Sequence, residues 1–217
     1  MADNFNEVLN NLGGAFGLPE NFLLELVKED DWSFIIKSHA LLEAAISQLL
    51  THRIGDQRLL PVFELLELGN VKTGKLAFVK SMGLLPHKSL LFIRWLSEVR
   101  NKLVHKIENV NFDISKYISG FDKNQIKKFS ECIYQFLEVT DSSTEIEELT
   151  RRGKANIWYS TIVLVAEAHD AISEAKLEKD FIDEQLRLLK EFKSAGACLA
   201  NHGRLCADCF FFHTRTG

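Results

Sequence analysis

From Trp32 to His52 the residues Phe34, Ile35, Leu41, Leu42, Ala45, Ile46, Leu49 and Leu50 recur at helical spacing. That pattern predicts an amphipathic helix with one side turned to a core. Ala15 to Leu26, upstream, reads as a loop and a short helix, with Pro19 suited to a first helical turn. Downstream, Arg58 to Leu68 predicts a third helix stopped by Gly69, and Lys75 to Met82 a fourth stopped by Gly83. Pro86 opens a fifth, which runs through the densest apolar stretch to about His105. Asp122 to Val139 predicts a sixth, with Asp122 as N-cap ahead of Phe129, Ile133, Phe136 and Leu137. Asp141-Ser142-Ser143-Thr144 reads as a linker. Beyond it, Ile157, Thr161, Leu164, Ala168, Ile172 and Ala175 form one stripe of a long periodic segment, Lys154 to Phe192, and Phe181, Leu188 and Phe192 continue a similar one. A helix of that length packs along a bundle or against a partner chain. No β-type alternation of convincing length occurs. The expected fold is therefore all-α: an antiparallel helical bundle over residues 1–140, then a helical extension over 141–217 packed on the bundle or on a partner chain.

Composition narrows the function classes. An apolar content of 46% in 217 residues supports a sizeable core, and only three prolines interrupt it. The formal net charge of −4 supplies no global attraction to phosphate backbones, so any nucleic acid must be held by a local patch. No uncharged apolar run reaches the roughly 18 residues that a membrane span needs. The start, MADNFNEVLNNLGG, lacks the basic and apolar regions of a secretory signal. The expected setting for the four cysteines is therefore the reducing cytoplasm, without disulfides.

The fifth segment carries the candidate chemistry. At about 100° per residue, Phe92, Leu96, Val99 and Leu103 line one face, and Arg94, Glu98, Asn101 and His105 lie opposite. Arg100 sits on the flank, roughly 140° from His105, and its long side chain can reach round. Ile93 and Val104 make this helix more apolar than one core requires, which hints at a second chain.

Arg100-Asn101-Lys-Leu-Val-His105 resembles the signature of the HEPN superfamily: an arginine, a polar neighbour, and a histidine four to six positions on. The likeness covers roughly Trp32 to Val139. Gly74-Lys-Leu-Ala-Phe-Val-Lys-Ser-Met-Gly-Leu-Leu also resembles the approach to this motif in mannitol operon repressor-like proteins. The first resemblance implies a homodimer in which two Arg/His pairs face one composite cleft, and a metal-independent endoribonuclease of toxin or defence type. Histidine, with an ordinary pKa near 6.5, suits both proton acceptance and donation during attack of a 2′-hydroxyl on its phosphate. Arginine offers a planar cationic fork to the phosphate oxygens. The expected catalytic residues are Arg100, Asn101 and His105, with Glu98 and Glu43 in possible supporting roles, RNA as substrate and no cofactor. An antitoxin or regulatory protein is a possible partner. The alternative is a non-catalytic helical module or regulator that binds a protein, which suits the acidic net charge.

Other patterns carry less. Gly69-Asn-Val-Lys-Thr-Gly74-Lys75 approaches a phosphate loop, but Leu76 replaces the Mg²⁺-binding hydroxyl and no strand precedes it, so a turn between helices is expected. Cys198, His202, Cys206 and Cys209 include enough nitrogen and sulfur ligands for zinc, at spacings of no common finger. A tail of ordinary thiols is the expectation. His39, one turn before Glu43, is expected to be a partly buried, hydrogen-bonded histidine. Glu167, Asp170, Glu174, Glu178, Asp180 and Asp183 load the long helix with negative charge and argue against a membrane surface.

Overall fold

The Asp30 carboxylate accepts a hydrogen bond from the Ser33 backbone N–H at 2.9 Å, and Gly55 closes the same helix in left-handed backbone. Between these caps Phe34, Ile35, Leu42, Ala45, Ile46, Leu49 and Leu50 are completely buried. Each of the larger ones contributes about 1.5–3 kcal/mol of burial energy, which makes this helix the centre of the core. In the computed structural model, residues 2–105, 107–134 and 145–202 are described. They form α1 (Ala2–Ala15), α2 (Phe22–Leu26), α3 (Asp31–Ile54), α4 (Leu60–Leu65), α5 (Lys75–Ser81), α6 (His87–Val104), α7 (Ile114–Ser119), α8 (Lys123–Cys132) and α9 (Glu145–His202). Single 3₁₀ turns precede α4 and α7. No strand occurs among the described residues, and the fold is an all-α bundle. None of the described helices is long and apolar enough to cross a membrane.

Two compact units divide the chain, Met1–Ser173 and Glu174–Gly217. In the first, α3 packs against α2, α4, α5 and α6. The part of α9 in this unit buries Leu149, Ile157, Trp158, Leu164, Val165, Ala168 and Ile172. Polar ties fix its position. Trp158 Nε1–H donates to the Leu23 carbonyl at 2.8 Å, and Lys154 pairs with Asp31 at 2.9 Å. The second Asp31 oxygen accepts the Ile114 N–H at 2.8 Å, so one carboxylate joins α3, α7 and α9. Ser89 Oγ and the Tyr134 hydroxyl donate to the two oxygens of Glu167, at 2.5 and 3.0 Å, and tie α6 to α9. In the second unit, residues 176–194 are exposed at every position.

Departures from the periodicity have local causes. The helix expected over 58–68 ends at Leu65, and Leu66 is extended. The carbonyls of Glu67 and Leu68 accept the Lys75 and Leu76 N–H groups at 3.0 and 3.1 Å, so the chain must leave its helix to cap α5. Gly74 N–H donates to Asn70 O at 3.1 Å, and Asn70 Oδ1 accepts from the Lys72 and Thr73 N–H groups at 3.0 Å each. This loop is an inter-helix turn whose donors are spent on protein oxygens. A β-carbon on Gly74 would lie 2.2 Å from Glu67 O. Gly74→Ala is accordingly expected to cost about 1–3 kcal/mol, read as a lower urea midpoint, and an unchanged midpoint would contradict this packing. Likewise α8 stops at Cys132 although the apolar period runs on. Ile133 turns extended, and the Tyr134 N–H donates to Ser160 Oγ of α9 at 2.7 Å instead of to its own helix. Asp122 forms the expected N-cap, within a capping box with Gln125. Pro19 lies in the turn before α2, not in its first helical turn. Phe136, Leu137 and the linker Asp141 to Thr144 fall outside the described residues.

Candidate active site

Pro86 starts α6, and Phe92, Leu96, Val99 and Leu103 are buried on its core side. Ile93 is completely buried and Ser97 nearly so. The buried arc is therefore wider than the stripe expected from sequence, and Ile93 is covered within this chain. Ile93 gives no sign of a partner surface; Val104, which is exposed, is the only apolar surplus left on this helix.

The extra arc of α6 carries a polar cluster shared with α3 and α5. Ser97 Oγ donates to the Ile93 carbonyl at 2.8 Å, which uses its one proton. The 3.2 Å contact from His39 Nε2 to Ser97 Oγ then requires the imidazole to donate, so His39 carries its proton on Nε2. Its Nδ1 faces Glu43 Oε2 at 3.9 Å. Glu43 Oε1 accepts from Lys75 Nζ at 3.0 Å, and the Lys75 side chain is wholly buried. Gly69 lets this cluster close: a β-carbon there would lie 2.5 Å from Ser97 Cβ. Burial pushes the His39 pKa down to about 4, the negative charge of Glu43 opposes the shift, and the positive charges of Arg100 and Lys75 add to it. Arg100 thus sits within electrostatic reach of the cluster.

That depression fixes a pH dependence. The unfolded chain takes up a proton at His39 as pH falls through the ordinary value of 6.5, whereas the native chain does so only near 4. Stability is therefore full above about 6.5, falls across that window by roughly 3 kcal/mol, and levels off below it. Asp30 and Asp113 act lower. Hydrogen bonds from Ser33 and Lys116 hold them below the ordinary 3.8, so what they contribute is lost only as pH falls past that range. Denaturation of wild type and His39→Gln between pH 7 and 4 is the check. The glutamine keeps a donor toward Ser97, and the slope should flatten. An equal slope in both proteins would contradict the assignment.

The Arg100 guanidinium is half-buried and donates from Nη1 to Asn101 Oδ1 at 3.1 Å. His105 is the exposed C-cap of α6. Asn109 Nδ2 turns back to the Lys102 and Leu103 carbonyls at 2.8 and 3.5 Å, which satisfies the end of the helix and fixes the turn after it. The structure thus brings Arg100 and Asn101 together, with His105 one turn beyond Asn101. Glu98 is exposed and pairs with Arg94 at 3.0 Å along the helix surface. Glu43 belongs to the Lys75 pair. Arg100 and Lys102 place two cations on the last turns of α6, and Glu98 nearby is already paired with Arg94. Lys75 and Ser97 are the polar residues that sequence reasoning missed. For Ser97 a signal existed, a serine four residues after Ile93 on the side of α6 that carries Arg100.

Cys132 is buried, and burial pushes its thiol up to about 12, so it is an inert packing residue. Cys198 and His202 lie on α9, whose side chains are described only to Ser194; Cys206 and Cys209 fall outside the described residues. No group of metal-ligating side chains occurs among the described residues. No family model, curated protein or solved structure matches the chain.

Proposed function

We propose that this protein is a metal-independent endoribonuclease of toxin or defence type, as the likeness of Arg100-Asn101-x-x-x-His105 to the HEPN signature implies. The observation that carries the reading is the end of α6. A half-buried arginine is oriented by its neighbouring asparagine, and an exposed histidine stands on the capped terminus of the same helix. His105 takes the proton of an RNA 2′-hydroxyl and returns one to the leaving oxygen, and Arg100 holds the charge that gathers on the phosphate. The HEPN likeness further implies a homodimer, in which two copies of α6 offer their Arg100 and His105 pairs to one RNA. The test is incubation of RNA oligonucleotides with the full chain in excess chelator. Cleavage is expected from wild type and not from His105→Ala.

A second reading, a non-catalytic helical module or regulator that binds a protein, is favoured by one feature. A largely apolar groove lies between Phe16, Leu18, Phe22, Ala40, Leu41 and Ala44, with Lys37 and Gln48 also lining it, on a different face of α3 from His39 and Glu43. Its apolar part suits an apolar peptide side chain. Intact protein that cleaves no RNA and slows no cell growth on expression overturns the first reading in favour of this one.

A further inference from the structure

We propose that residues 177–192 of α9 pair in parallel with the same segment of a second copy of this chain. The inference rests on the unit Glu174–Gly217 alone and not on the ribonuclease reading. Leu177, Phe181, Ile182, Leu188, Leu189 and Phe192 are 71%, 66%, 56%, 37%, 55% and 76% exposed. At about 100° per residue they share an arc of roughly 140° that also holds Gln185 and, on the side of Ile182 and Leu189, Glu178; Leu186, 48% exposed, lies about 40° beyond Ile182. An apolar arc this wide, with three positions per heptad, is the face a helix turns to a partner and not to water.

Charge identifies the occupant. One border of the arc carries Glu184 and Glu191, and the other carries Lys179 and Lys193. Asp180 lies beside Glu191 on the first border, and Arg187 pairs with Glu184 at 2.7 Å and with Glu191 at 4.0 Å inside the helix, which leaves that border negative by two charges. A two-fold axis parallel to two such helices sets each acidic border against the partner's basic border, on both sides of the seam. An antiparallel pair would set acid against acid and base against base. A partner with uniformly charged flanks would match one border and be repelled by the other. The pattern is therefore complementary to itself, and in one orientation.

The experiment uses the full chain. Light scattering at about ten micromolar should report two chains for wild type and one for the Phe181→Glu/Phe192→Glu double variant. In that variant the bundle over Met1–Ser173 should still unfold cooperatively, because both side chains lie outside that unit and are exposed in the single chain; only the concentration dependence of the midpoint should be lost. Orientation is read by Leu188→Cys in a chain whose Cys198, Cys206 and Cys209 are replaced by serine, with buried Cys132 left in place. In a parallel pair, position 188 lies beside its own copy, and mild oxidation should link the two chains. Lys190→Cys, on the far side of the helix, should not link them. A wild type of one chain, or a two-chain species that survives the double variant, overturns the pairing. A dimer that forms no link through position 188 overturns its parallel orientation. The His105→Ala variant, altered outside this segment, should still report two chains while losing RNA cleavage, so failure of the pairing and failure of the site at α6 are read separately.

Discussion

Replacement of His105 by alanine is expected to slow RNA cleavage by a factor on the order of 10² or more, the usual loss when a general acid–base group is removed. The fold should not change. His105 is exposed at the C-cap, and the turn it occupies is held by Asn109 through the Lys102 and Leu103 carbonyls. Unfolding free energies within about 0.5 kcal/mol of wild type are therefore anticipated. Arg100→Lys should fail comparably in cleavage. An ammonium keeps the positive charge but loses the planar fork that grips two phosphate oxygens and the 3.1 Å bond from Nη1 to Asn101. Full activity in Arg100→Lys would mean that charge alone suffices there, and full activity in His105→Ala would remove that residue from the proton transfer.

The largest effect on stability should come from Glu43→Leu, at about 3–5 kcal/mol. The substitution leaves the Lys75 ammonium without its counter-charge in a site that water does not reach, since the lysine side chain is 0% exposed. The opposite replacement, Lys75→Met, should cost far less. Glu43 keeps a third of its surface in water, and the methionine fills the space of the lysine stem. The double variant Glu43→Leu/Lys75→Met should recover most of what Glu43→Leu alone loses. Chemical denaturation of the three variants tests this ordering, and equal costs for the two single replacements would show that the pair does not behave as a buried cation with a half-wet anion.

The elements legible in the sequence were those whose burial is periodic. Phe34 to Leu50 and Phe92 to Leu103 spell out the buried sides of α3 and α6, and Ile157 to Ala175 that of α9. Nothing comparable marks α1. Its segment is rich in asparagine and glycine, and only Leu9 among its described side chains joins the buried apolar core. Leu9 in the core, the ring of Phe5 against Trp158, and two contacts between Asn10 and Asn21 at 2.7 and 3.2 Å position it. The six residues of α7 are too few to show a period, and the end of α8 is decided by Ser160 of a distant helix. The Arg100, Asn101 and His105 set was visible because its spacing is local. The cluster beside it was not. Lys75 looks like any lysine in a first helical turn, and only Glu43, 32 residues earlier, gives its ammonium a reason to be buried. Ile93 looked surplus because a helical wheel cannot show that the Ser97 side of α6 is also covered.

The most direct test of the proposed chemistry uses one RNA oligonucleotide with its cleavage site mapped, in excess chelator, beside the same oligonucleotide with a single 2′-deoxy nucleotide 5′ to the scissile phosphate. Wild-type protein should cut the first to a product ending in 2′,3′-cyclic phosphate and leave the second intact at that position. A cut in the deoxy-substituted strand, or a product formed only when Mg²⁺ is returned, would contradict attack by the neighbouring hydroxyl and with it the roles given to Arg100 and His105.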